Sequence, residues 1–154
     1  MKKLLAVLKS AFIACTLLLA FAGCTKDEAG SLTGHWVFNE ANVIFYMSGQ
    51  AYNVKEHGGD LSGINNGFRG LFIDFKENEV TMGQGSEILF SVEYTVSGNK
   101  IVVRDGGDIM SWKYSLSGNS LDVVWTSETL ELLGDFELPD GVDDLDVIMT
   151  FKKQ

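Results

Sequence analysis

Tyr94-Thr95-Val96-Ser97-Gly98-Asn99-Lys100-Ile101 returns 20 residues on as Tyr114-Ser115-Leu116-Ser117-Gly118-Asn119-Ser120-Leu121. Each copy alternates large and small or polar side chains, breaks at Ser-Gly-Asn and resumes the alternation. Residues two apart share one face of a strand, and Gly and Asn tolerate the positive φ that two-residue hairpin turns require. The repeat therefore reads as two successive β-hairpins.

The same spacing extends in both directions. Ile88, Phe90, Val92, Tyr94 and Val96 form one inward face, Met110, Trp112, Tyr114 and Leu116 a second, and Leu145, Val147, Met149 and Phe151 a third. Leu71-Ile73-Phe75, Val80-Met82, Ile101-Val103 and Leu121-Val123-Trp125 supply four further strands, and Trp36-Phe38 a first one, for eight in all. Short links of turn-forming residues (Lys76-Glu77-Asn78, Gly83-Gln84-Gly85, Asp105-Gly106-Gly107-Asp108) join many of them. The expected fold is all-β: an eight-stranded antiparallel up-and-down meander closed into a small barrel, because closure removes the exposed sheet edges.

Strand direction then separates the two ends. The connections after strands one, three, five and seven share one end and include both long ones, residues 39–70 and 127–144. The other end carries only residues 76–78 and the two Ser-Gly-Asn turns. A cup with a tight base and a loop-rimmed mouth follows, with the chain entering at the base. Residues 43–47 leave an alternative open, since an extra strand there would move the entry point to the mouth.

Composition removes several functions. The formal charge of −9, from 12 basic and 21 acidic residues, opposes nucleic acid, whose phosphates demand a basic patch. Cys15 and Cys24 are the two cysteines and His35 and His57 the two histidines. A disulfide scaffold, a cysteine nucleophile in the barrel and a multi-histidine metal site are thus excluded or remote. Eight acids between Glu128 and Asp146 lack the ligand spacing of an EF-hand and read as a solvated face. Asp74 and Glu93 fall at outward positions, so no convergent nucleophile, base and orienting group emerges, and the expected protein is not an enzyme.

The N-terminus sets the address. Lys2, Lys3 and Lys9 precede an apolar run over residues 11–22, the pattern of a secretory signal, and that run is shorter than the roughly 20 residues needed to span a bilayer. Leu19-Ala20-Phe21-Ala22-Gly23-Cys24 resembles the lipobox of bacterial lipoproteins, departing from it at Phe21. The resemblance implies removal of residues 1–23 and lipidation of Cys24, with residues 24–31 as a flexible tether and residues 32–154 as the barrel domain. Multiple acyl chains hold a protein at a membrane where one does so only marginally. Lys26-Asp27-Glu28 resembles the surface-export signal of Bacteroidetes-type lipoproteins, which implies the outer membrane and an outward-facing position; a solvated acidic linker is the other reading of those residues. The mature chain keeps nine basic and 21 acidic groups, a formal charge of −12.

Gly34-His35-Trp36-Val37-Phe38 resembles the Gly-x-Trp opening of lipocalins and of the shorter lipocalin-like domains of bacterial lipoproteins. In that family the tryptophan plugs the closed end and an arginine near the last strand packs across it. Here Lys152 and Lys153 stand after the last strand, and the arginines are Arg69 and Arg104. The resemblance implies a cup for a small molecule; the inward positions of the alternation supply the candidate ligand-binding set of Trp36, Phe38, Phe90, Tyr94, Trp112, Tyr114 and Trp125, and no cofactor is expected. An apolar or aromatic-stackable ligand suits these residues, since no inward Arg, Lys or His recurs. A small barrel is either filled by such side chains or holds one small ligand. Two readings therefore stand: a membrane-anchored binding module for a small apolar ligand, or an envelope interaction protein with a filled barrel. The second would contact a protein or glycan through Phe45, Tyr46, Tyr52 and Phe68.

Overall fold

The computed structural model describes residues 32–133 and 137–154; the proposed signal, Cys24 and its tether through residue 31 lie outside the described residues. Nine strands form: β1 (Gly34–Met47), β2 (Gln50–Asn53), β3 (Leu71–Phe75), β4 (Glu79–Gln84), β5 (Glu87–Ser97), β6 (Lys100–Asp105), β7 (Asp108–Ser117), β8 (Ser120–Thr126) and β9 (Asp144–Lys153). Helix α1 (Ser62–Gly67) lies between β2 and β3, and helix α2 (Ser127–Leu133) between β8 and β9. All strand pairs are antiparallel, β3 to β9 pair in sequence order, and β1 pairs with both β3 and β9. The eight strands β1 and β3 to β9 are thus a closed up-and-down barrel, as the alternation predicts, and β2 is a ninth strand outside the ring.

The two Ser-Gly-Asn hairpins form as expected. Gly98 and Gly118 each adopt φ of 58°, and the following Asn does not, the arrangement of a II′ turn with glycine first. They share the tight end with residues 76–78, the start of β1 and the end of β9. Gly34 lies opposite Phe75, the Lys153 amide donates to the Asn119 carbonyl at 3.0 Å, and the Gln154 amide to that of His35 at 3.0 Å. Chain entry at the base is therefore retained, because residues 43–47 lengthen β1 rather than forming a separate strand.

Three expectations need correction. First, residues 39–53 are not loop: β1 runs 14 residues and turns at Ser48-Gly49 into β2. A bulge between Phe38 and Glu40 hides this from the sequence, because inward positions change from Trp36 and Phe38 to Ala41 and Val43. Second, Ile88 is not inward. A register shift after Met82 leaves Leu89 as the extra residue and pairs Ile88 with Gly83, so Ile88 is 55% exposed. Third, the two long connections contain the helices α1 and α2.

β1 needs partners on two edges. Along one, β9 pairs from Trp36↔Lys153 to Tyr46↔Asp144. The other edge is divided: β3 takes residues 34–37 and β2 takes residues 44–47. The gap is covered by residues 54–70, where the Val54 amide donates to the Val43 carbonyl at 2.9 Å and the Ala41 amide to Asn65 Oδ1 at 2.7 Å. Gln84 Nε2 holds the far end of that segment by donating to the carbonyls of Gly67 (2.8 Å) and Arg69 (2.9 Å). An unpaired backbone amide at the 1% exposed Ala41 would be costly. Asn65→Ala should lower unfolding free energy by about 1–3 kcal/mol, read as a shift in urea midpoint, while Asn65→Asp, which keeps the acceptor, should lose less; equal losses would show that the side-chain oxygen is not what matters.

Candidate ligand-binding site

The seven aromatic residues selected from sequence all face the barrel interior. At the base, Trp36 is fully buried, its Nε1 donates to the Leu32 carbonyl at 2.6 Å, and Lys153 Nζ stands 5.1 Å from its ring centre. Tyr94 packs edge-on to Phe75 with 5.2 Å between ring centres and donates its hydroxyl to the Lys76 carbonyl at 3.0 Å. Burial pushes its phenol above the ordinary tyrosine value. Tyr114 is buried as well.

Other rings form a continuous row across the interior, from Phe90 to Phe151 near the base. Phe90 meets Trp112 (5.9 Å between centres), Trp112 meets Trp125 (6.3 Å), Trp125 meets Phe68 (6.2 Å), Phe68 meets Phe38 (5.8 Å), and Phe38 meets Phe151 (6.0 Å). These are the tilted and edge-on geometries that aromatic pairs favour. Phe68, expected as an exposed loop residue, instead comes down from the α1 segment into this row, and Leu61 and Ile64 pack against the core with it. Phe45 also packs on the core, and Tyr46 is half-buried with its hydroxyl donating to Asp146 Oδ2 at 3.0 Å. That bond, then burial and the charges of Asp146 and Asp144, raise the Tyr46 pKa. Of the contact residues expected from sequence, Tyr52 alone remains exposed, stacked on His57 at 4.1 Å.

Two of the three indoles carry a donor with nothing to donate to. Trp112 Nε1 and Trp125 Nε1 are buried and have no hydrogen-bond partner among the described residues, in contrast to Trp36. An unsatisfied buried donor costs about 1–3 kcal/mol, so a pair of them in adjacent rings calls for a physical reason.

Open space lies beside this row, where strands end unevenly. β6 pairs with β5 only from Glu93↔Arg104 downward, so the mouth half of β5, which pairs with β4, and the β6–β7 tip do not pair with each other. The cleft between them has a volume of about 360 Å³ and is lined by Leu89, Phe90, Val92, Asp105, Asp108, Ile109 and Met110. On the other side of the tip, β8 pairs with β7 only from Lys113↔Val124 downward. A second cleft of about 290 Å³ opens there, between β7 and the start of α2, and Ile109 and Met110 line it too. Ile109 is 61% exposed and Leu89 52%. Of the seven aromatics, Phe90 alone lines the first cleft. Leu89 and Ile109 were missed because they occupy outward positions in the alternation; an apolar residue at such a position was the available signal.

The acidic connection is engaged in hydrogen bonds of its own. Asp143 Oδ2 accepts from the Ser48 amide at 2.6 Å, and Asp144 Oδ1 accepts from the Ser127 hydroxyl and from the Leu145 amide. Among the described residues no group of three or more His, Cys, Asp or Glu is placed to hold a metal ion.

Comparison with family models, curated proteins and solved structures finds no match to this chain. The chemistry of the site must therefore be taken from its own residues. Phe68→Ala would open the row from above: unfolding free energy should fall by roughly 2 kcal/mol, below the cost at a fully buried phenylalanine, and tryptophan emission should shift to the red. Unchanged emission would place Phe68 outside the row.

Proposed function

We propose that the chain is a non-enzymatic, lipid-anchored lipoprotein of the bacterial outer membrane that holds a small apolar ligand at the loop-rimmed end of a lipocalin-like barrel. The carrying observation is the 360 Å³ cleft between β5 and the β6–β7 tip, whose lining is apolar apart from Asp105 and Asp108. Its volume is within the range of small-molecule sites, and a mostly apolar wall with few polar groups is their usual composition. The ligand position moves accordingly from the barrel centre, where the aromatic row is packed, to the rim beside Phe90.

Lys153 over the Trp36 ring supports the lipocalin-like reading, since a cation across the base tryptophan is what the resemblance implies, with lysine in place of arginine. Cys24 is the proposed acylation site and Lys26, Asp27 and Glu28 the proposed export signal. With β1 starting at the base, an anchor attached there turns the cleft away from the membrane. The interaction-protein reading retains one specific observation, the exposed stack of Tyr52 on β2 with His57 in the turn that follows, a surface suited to a glycan or protein partner.

Native mass spectrometry of the mature chain isolated from its host tests the binding reading. A small-molecule adduct is expected on the wild type and should be lost in Ile109→Glu, a substitution at an exposed position that places charge in the cleft. No adduct on either would overturn the binding module in favour of the interaction protein. In the same host, Cys24→Ala should move the protein from membranes to the soluble fraction, and protease added to intact cells should remove the wild type; retention of the variant in membranes would overturn the anchor, and protection of the wild type the outward position.

A further inference from the structure

Trp36 shows what a satisfied indole looks like in this core, and Trp112 and Trp125 lack the equivalent. Both unsatisfied donors belong to adjacent rings of the row that begins at Phe90, and Phe90 is a wall of the 360 Å³ cleft. Met110, another wall residue, is the next inward position above Trp112 on β7. Met110 and the Phe90 ring thus stand between the cleft and Trp112, with Trp125 one ring further in, and methionine readily changes rotamer to admit a neighbour.

We infer that the cleft takes an uncharged, carbonyl-bearing apolar molecule whose oxygen accepts a hydrogen bond from the buried indole of Trp112. This deepens, and rests on, the ligand-binding reading above. The donor type fixes the ligand's polar group: an indole N–H can only donate, so the bound atom is an acceptor. The electrostatics fix its charge. No Lys, Arg or His lines the cleft, Asp105 and Asp108 stand at it, and the mature chain is strongly acidic. A carboxylate or phosphate would enter against that field without a counter-ion. A ketone, ester, amide or quinone oxygen meets no such barrier. The remaining walls, Leu89, Phe90, Val92 and Ile109, suit an alkyl or aromatic body.

The test compares acetylnaphthalene with ethylnaphthalene, a pair alike in shape of which only the first has an acceptor, on the isotope-labelled mature chain. The three indole N–H resonances are followed in a proton–nitrogen correlation spectrum. The ketone should bind about tenfold more tightly, the worth of a neutral hydrogen bond. It should also move the Trp112 resonance downfield while that of Trp36, already bonded to Leu32, stays in place. Trp112→Phe and Trp125→Phe assign the peaks, and the wild-type shifts decide the matter even if either variant fails to fold. Equal binding of both probes with unmoved indoles would overturn the donor role while leaving an apolar site intact. Binding of neither would overturn the site itself and this inference with it.

Discussion

The pairing of β1 on both edges is the constraint on which the rest depends. A meander left open would present two unpaired edges to water and to other chains. Here the first strand closes that gap by pairing with β9 over almost its whole length. Its second edge has to be completed by three different pieces, β3, β2 and the Asn65 side chain with Val54. That requirement explains the long β2–β3 connection. Its backbone and its α1 helix complete the edge of β1, and in doing so carry Phe68 into the interior.

Closure has a second consequence, for where space remains. An eight-stranded ring of this size encloses little volume, and six rings from five strands and one connection cross its interior from Phe90 to Phe151. Room appears instead where the strands differ in length. β5 continues towards the mouth past its last pair with β6, β7 continues past its last pair with β8, and a cleft opens on each side of the β6–β7 tip. The exposed Leu89 and Ile109 line this space rather than the core.

How much of this was legible in the sequence follows the same physics. Strands β5, β7 and β9 announce themselves because period two is kept along most of their length, and the Ser-Gly-Asn turns fix the β5–β6 and β7–β8 hairpins. The alternation fails where one extra residue is inserted. At Asn39 the inward set changes parity and conceals the outer half of β1, and at Leu89 the same device turns Ile88 outward. Helix α1, Ser62-Gly63-Ile64-Asn65-Asn66-Gly67, is rich in poor helix formers and forms through tertiary contacts, which a local reading does not register. The seven aromatics selected do face inward, whereas Phe68 and Phe45 were read as exposed and pack on the core; which rings border open space depends on where the pairing stops, and that is set by register rather than by residue type.

Amide hydrogen exchange along β1 is the most direct measure of closure. If β1 bridges β9 on one side and β3, Asn65 and β2 on the other, amides on both of its edges, Ala41 and Val43 included, should exchange as slowly as those at the centre of β7. Fast exchange of every second β1 amide, with slow exchange of those between, would mean one edge is bare and the barrel open.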